Sequence, residues 1–268
     1  MTLTWGERTH IMGIINVTPD SFSGDGTGGD IAAAVELARA AEHAGADLLD
    51  IGAESSRPGS EPLAAAEEIE RLMPSLRAIR KATHLPISVD TYHASVADAA
   101  LTEGADLVND IHGLRTDPGM APTIARHGAA LIAMHNQRGR QTRDVAADIR
   151  AGFEESIRIA LAAGVPPGKI VLDPGFGFGW TEEHNLEMIR RLPELWDLEL
   201  PLLLGTSRKS TIGAVLDTPV TERFEGTAAS VAISAAAGAD IVRVHDVAGM
   251  ARVVRVADAI VRANWRST

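Results

Sequence analysis

Residues 43–52 read HAGADLLDIG. Its first five letters mark a helix giving way to a strand. Gly45 stops the helix, since a residue without a Cβ takes the left-handed closing conformation at no steric cost. The apolar run behind it, Leu48–Gly52, suits a strand buried on both faces. The phrase returns as TEGAD at 102–106 and AAGAD at 236–240, each time just ahead of another apolar run. A chain that repeats helix, glycine stop and buried strand is built of βα units, which give parallel strands and right-handed crossovers.

Working outward, the same alternation runs eight times. Strands are expected at Ile11–Asn16, Leu48–Gly52, Pro86–Asp90, Asp106–Asp110, Ala129–His135, Ile170–Asp173, Pro201–Gly205 and Asp240–Val244. Between them lie helical stretches at Ile31–Ala44, after the loop Ala53–Pro62 through Lys81, at Ala94–Glu103, near Pro118–Arg126, at Val145–Ala163, from Glu182, at Gly226–Ala237 and near Gly249–Asn264. Asp30 is a plausible N-cap for the first. Eight units fit a closed (β/α)8 TIM barrel. The chain reads as a single domain, 1–268, with about 11–264 forming the barrel. The rival is an open doubly wound sheet. The recurring helix-end phrase favours closure, and no G-x-G-x-x-G opens an early helix as a dinucleotide fold would require.

Apolar residues make up 45% of the 268, but aromatics only 4%, so the core is mostly Ala, Val, Ile and Leu. A net charge of −11 argues against bulk nucleic-acid binding and against an anionic membrane surface. A small anionic substrate stays open if the few cations cluster. The absence of cysteine excludes disulfides, thiolate catalysis and cysteine-type zinc sites. Residues 1–10 show no signal-peptide pattern and no apolar run is long enough for a membrane helix, so a soluble cytoplasmic protein is expected.

In such a barrel the chemistry sits at the C-terminal strand ends. Here most strands run apolar and then stop on a polar residue: Asn16, Asp90, Asn109 with Asp110, His135 and Asp173. The seventh leads into Ser207, Arg208, Lys209 and Ser210, while the eighth contains Arg243 and leads into His245. Any one of these could be a helix cap, a turn residue or a satisfied histidine. All of them on one rim point to a site with hydrogen-bond acceptors beside an anion-binding set of Arg57, Lys209, Arg243 and His245. The sixth strand end, IVLDPGFGFGW at 170–180, places an acid beside two phenylalanines spaced by glycines. It suits a flat, polar-edged heterocycle, with the glycines read as room for the ring. A βα turn with a capping Asp and two core phenylalanines is the plain alternative. The first loop, VTPDSFSGDGTGG (17–29), looks like a mobile lid, and ESSRPGSEP (54–62) could hold a phosphate.

These motifs resemble those of the dihydropteroate synthases of the pterin-binding barrel family. The matching phrases are MGIINVTPDSFS (12–23), ESSRPG (54–59), SVDT (88–91), LVNDI (107–111), Met134-His135, LDPGFGFG (172–179), GTSRKS (205–210) and RVHDV (243–247). The resemblance implies condensation of a dihydropterin-6-ylmethyl diphosphate with 4-aminobenzoate, releasing pyrophosphate. It implies that Asp90, Asn109, Asp173, Phe178, Lys209 and Arg243 bind the pterin. Asn16 would hold Mg²⁺ on the diphosphate, which Ser56, Arg57, Arg243 and His245 would surround. Phe22, Pro58, Phe178, Lys209 and Ser210 would receive 4-aminobenzoate. Catalytic duties would fall to Lys209, Arg243, His245 and Asp90, and the chain would form a homodimer. The alternatives are a non-catalytic pterin-binding paralogue and a methyltetrahydrofolate–corrinoid methyltransferase. The sequence departs from the family's usual phrases at Ala53, at Gly24-Asp25, at Asn136 and at Trp180.

Overall fold

The computed structural model describes residues 3–18, 27–54 and 62–263. Eight parallel strands form one sheet: β1 (His10–Asn16), β2 (Leu48–Gly52), β3 (Ile87–Asp90), β4 (Leu107–Asp110), β5 (Ala130–Met134), β6 (Ile170–Asp173), β7 (Leu203–Leu204) and β8 (Ile241–Val244). The hydrogen-bonded order is β6-β5-β4-β3-β2-β1-β8-β7. A parallel bridge between Leu172 and Leu202 joins its two edges, with the Leu172 amide donating to the Pro201 carbonyl at 2.9 Å. The sheet closes, as the (β/α)8 reading requires.

The helices among the described residues are α1 (Ile31–Ala44), α2 (Ala65–Ala82), α3 (Ala94–Thr102), α4 (Met120–His127), α5 (Val145–Ala162), α6 (Glu182–Arg191), α7 (Ser210–Leu216), α8 (Phe224–Ala236) and α9 (Val247–Val261). Asp30 caps α1 as expected, accepting from Ala32 and Ala33 amides at 2.8 and 3.2 Å. Gly45 closes that helix at φ 99°. Several helix starts differ from the sequence reading, with α4 beginning two residues later than expected and α8 two residues earlier. The stretch after β7 is a short helix of its own, and α9 begins at Val247 because the Asp246 carboxylate accepts from the Gly249 amide at 2.8 Å and fixes the start there. No described helix is long and apolar enough to cross a membrane.

Side chains on a strand alternate between its two faces, and here the alternation splits the core in two. One cluster holds Met12, Leu48, Leu107, Ile132, Val171, Leu203 and Ile241, which fill the inside of the barrel. Their sequence neighbours Ile11, Leu49, Val108, Leu131, Ile170, Leu172, Leu204 and Val242 belong to a second cluster, packed against the helices. Both faces are buried, which explains why the strands read as continuous apolar runs.

Candidate active site

Stepping two residues along each strand from the inner apolar cluster keeps the same face and brings Asp50, Asn109, Met134, Asp173, Gly205 and Arg243 to the inside. One step further on the same face lie Asn16, Asp90 and His245. Strand register confirms the neighbours: Asn16 pairs with Gly52, Gly52 with Asp90, Asp90 with Asn109, and Met134 with Asp173. The fold therefore gathers Asn16, Asp90, Asn109, Asp173, Arg243 and His245 at one end of the barrel interior. Phe22, Ser56, Arg57 and Pro58 lie outside the described residues.

Arg243 organises the centre. Its Nε donates to Asp50 Oδ2 at 2.6 Å and its Nη2 to Asp90 Oδ2 at 2.9 Å. Burial alone would lower its pKa, but the Asp50 and Asp90 carboxylates hold it above the ordinary value. Asp90 is pushed upward by burial and by the charge of Asp50, and Arg243 only partly offsets this. Asn109 donates through Nδ2 to Asp50 Oδ2 at 3.0 Å, while its Oδ1 is buried without a partner. Asp173 accepts from the Gly175 amide at 2.8 Å. Burial raises its pKa against the pull of Lys209.

Lys209 precedes α7, and burial lowers its ammonium pKa to about 8 in spite of Asp173. It donates to the Phe176 carbonyl and stands 4.5 Å from the centroid of the Phe178 ring. Phe178 packs with Ile111 and Met134, whereas Phe176 is part of the core under the helices. Ser210, the first residue of α7, is exposed. His245 places Nδ1 3.0 Å from Ser207 Oγ.

The glycines of 175–179 do not make room for a ring. A Cβ on Gly175 would lie 1.9 Å from the His135 carbonyl, and one on Gly177 would lie 2.9 Å from Lys209 Cδ; both residues have positive φ. They make room for the chain's own backbone and for the lysine stem.

Two rim residues belong elsewhere. His135 falls on the outer face of its strand by parity and packs on α5, where a Cβ on Gly152 would sit 2.0 Å from its Nδ1. Its Nε2 is 2.9 Å from Gln137 Oε1, and burial lowers its pKa to about 4. Asp110, also outward, braces the following turn by accepting from the His112 and Leu114 amides, both at 2.8 Å. Trp180 packs against His135 in a tilted ring contact, with centroids 5.6 Å apart. Asn136 braces its loop, donating to the Ile111 carbonyl at 3.2 Å and accepting from the Arg138 amide at 3.1 Å.

The sequence reading missed Asp50 and Arg138. Asp50 is a carboxylate inside an apolar strand, two residues from its end, so a search for polar strand ends passes over it. Its signal is parity with Leu48. Arg138, with its guanidinium 4.7 Å from the Phe178 centroid, carried no signal.

Asn16 is the candidate metal ligand. Its side chain makes no hydrogen bond among the described residues. A side-chain amide oxygen fits Mg²⁺, which takes one or two protein oxygens and fills its shell with phosphate oxygens and water. Glu54, Glu68 and His93 form another cluster, with donor atoms within 4.8 Å of one another. His93 Nε2 lies 3.2 Å from the Leu63 carbonyl, so that nitrogen carries a proton and has no lone pair to offer. Glu68 has its pKa raised by burial to about 7. This group holds protons more readily than a metal.

Residues 12–245 match the family of pterin binding enzymes. A dihydropteroate synthase of Synechocystis sp. is 45% identical over 98% of this chain and 92% of its own length. A dihydropteroate synthase structure from Clostridium difficile, obtained in the presence of pteroic acid, superposes with a TM-score of 0.93 at 46% identity, covering 97% of this chain and all of that one. One from Xanthomonas albilineans with 4-aminobenzoic acid gives 0.89 at 38% identity, covering 94% and 93%.

Proposed function

The chain belongs to the pterin-binding enzymes and, among them, to the dihydropteroate synthases, and we propose that it joins (7,8-dihydropterin-6-yl)methyl diphosphate to 4-aminobenzoate, giving 7,8-dihydropteroate and pyrophosphate. The observation that carries this is the inward convergence of Asp90, Asn109 and Asp173 beside Lys209 and Arg243. A pterin edge presents a ring N–H next to an exocyclic NH₂, and one carboxylate can accept from both. Asp173 takes that pair, with Asn109 and Asp90 accepting from the remaining donors. The Lys209 ammonium faces the pterin carbonyl and ring nitrogen, and Phe178 and Arg243 flank the ring.

The reaction needs no protein nucleophile. The C–O bond to the diphosphate breaks first and its electron pair leaves with the phosphate oxygen. Arg243 and His245, with Ser56 and Arg57 of the second loop, receive that charge. Mg²⁺ held by Asn16 would neutralise part of the diphosphate charge when bound. The pterin-methyl cation is delocalised into the ring. The amine lone pair of 4-aminobenzoate, held near Phe22, Pro58, Phe178, Lys209 and Ser210, then forms the C–N bond. The anilinium so formed is acidic enough to lose its proton to water or pyrophosphate. Positioning and electrostatics supply the acceleration.

The test is pyrophosphate release from the pterin diphosphate with and without 4-aminobenzoate, in the presence of Mg²⁺. Turnover that depends on aminobenzoate is expected, and its absence at high enzyme concentration sinks the reading. Lys209 also sets an alkaline limb. Its cation is lost as pH rises through about 8, so kcat/KM for the pterin substrate falls above that pH. Lys209→Arg moves that fall to higher pH.

We also infer a homodimer working in the cytoplasm. α8 and α9 expose Phe224, Ile233, Val256 and Ile260, an apolar set suited to a second copy. Sedimentation of the wild type against Ile260→Glu checks it.

A further inference from the structure

Asp50 is fully buried within the barrel, in the middle of β2. A buried carboxylate is retained at low cost only when charges and donors surround it. Here a single oxygen, Oδ2, accepts from both Arg243 Nε at 2.6 Å and Asn109 Nδ2 at 3.0 Å. The second contact fixes the orientation of the Asn109 amide. A carboxylate can only accept, so the atom of Asn109 that faces it must be the NH₂. That leaves Asn109 Oδ1, buried and without a partner, as an acceptor. Without Asp50 the amide could turn over and offer its donors instead. Arg243 Nε is committed to Asp50 in the same way, so the guanidinium presents its outer nitrogens toward Asp90.

We propose that Asp50 is a positioning residue for this reaction: through Oδ2 it sets the polarity of the Asn109 amide and the direction of the Arg243 guanidinium. The proposal rests on the pterin reading given above. The charge of Asp50 also lifts the proton affinity of Asp90, which joins a third site residue to the same carboxylate.

The experiment is a reciprocal exchange: D50N, N109D and the double variant D50N/N109D. In D50N the amide oxygen can still accept from both donors, but the counter-charge of Arg243 is gone and the Asn NH₂ can equally turn toward Asn109, so nothing fixes which way the Asn109 amide points. In N109D two acceptors face each other. In the double variant Asn at 50 can donate to Asp at 109. The 50–109 hydrogen bond is rebuilt with its direction reversed, and an acceptor still faces the ligand.

Each single variant is expected to raise KM for the pterin diphosphate about tenfold or more, with KM for 4-aminobenzoate within about twofold of wild type. The double variant is expected to recover most of the pterin KM. Its kcat stays low, because Arg243 Nε has not regained its charged partner. A merely structural role would lower thermal stability and all kinetic constants together. The idea fails if D50N leaves the pterin KM within about twofold of wild type. It also fails if the folded double variant binds pterin no better than the worse single. Should a single variant not fold, the double and the wild type decide the matter. Binding of 6-hydroxymethylpterin, followed by calorimetry, separates this failure from failure of the catalytic reading. A wild type that binds the pterin but does not turn over refutes the synthase assignment, while the exchange still reports on Asp50.

Discussion

β5 and β6 are neighbours whose runs end on His135 and Asp173, with the amide of the one donating to the carbonyl of the other at 2.8 Å. Their side chains go opposite ways. Asp173 faces into the barrel, near Lys209 and Arg243. His135 faces out, packed between Gly152 and Trp180, with too low a pKa to carry charge at neutral pH. One residue of offset separates an inward-facing acid from a core histidine. The contrast extends along the sheet, whose inner face becomes charged toward the C-terminal strand ends while its outer face stays apolar up to the terminal Asp110 and His135. Charge is tolerated inside only because Arg243 stands between Asp50 and Asp90.

Arg243→Met should therefore break this contrast most severely. It leaves two buried carboxylates facing each other without their cation, a change that costs about 3–5 kcal/mol in comparable cases. It also removes a cation from the departing diphosphate, for which a loss of about 10²–10³ in kcat is expected. Chemical denaturation and steady-state kinetics measure the two parts. A stable variant that retains activity would mean the inner charges are not held by this residue.

Asp173→Asn is milder and more selective. Its amide still accepts from Gly175 but turns an NH₂ toward pterin donors. Loss of a charge-assisted hydrogen bond corresponds to about 1.5–3 kcal/mol, or roughly 10- to 150-fold in pterin affinity. Ser210→Ala, on the exposed start of α7, should instead alter aminobenzoate binding. Calorimetry with each ligand tests the division, which equal effects on both would contradict.

Much of this could be read in the sequence, and the failures have a common cause. The barrel followed from helix stops and apolar runs, because strands buried on both faces leave a continuous signal. That same continuity hides parity. With apolar residues on both faces, nothing in ALIAMH or LVND tells which way the terminal polar residue points. The sequence thus groups His135 and Asp110 with Asp173 and Asn109, although they lie on the other face. Asp50 was passed over for the converse reason: its position inside LLDIG is visible only once Leu48 is known to face inward. Trp180, one of the departures from the family's usual phrases, is absorbed by packing against His135.

Glu68, on a helix outside the sheet, is an acid that sharpens the contrast. It lies in the first turn of α2, buried, beside Thr91. Burial, with Glu54 and Asp90 nearby, raises its pKa from 4.5 to about 7. The sign follows. Between these values the folded chain keeps a proton that the unfolded chain has released, so stability falls as pH rises from about 4.5 to 7 and the deficit is complete above 7. Glu68→Gln removes that dependence. It should raise stability at pH 8 by up to about 3 kcal/mol and have little effect of this kind below pH 4.5. Thermal melts across that range, compared with wild type, measure it; a gain independent of pH would refute the proton-holding role.

The smallest effect is expected at Trp180→Phe, which tests the two faces where they come closest. Trp180 follows the loop that carries Phe178, yet it belongs to the core packed against the helices, whereas Phe178 packs with Ile111 and Met134. Its Nε1 is buried without a partner, so phenylalanine removes an unsatisfied donor as well as some packing volume. These contributions oppose each other, and the net change in stability should stay within about 1 kcal/mol. With the ring turned toward His135 and away from Lys209, kcat/KM for both substrates should remain within about twofold of wild type. Phe178→Ala, two residues earlier, should by contrast raise KM for the pterin substrate. If Trp180→Phe lowered kcat/KM as far as Phe178→Ala does, strand parity would not be what divides site from scaffold at this strand end.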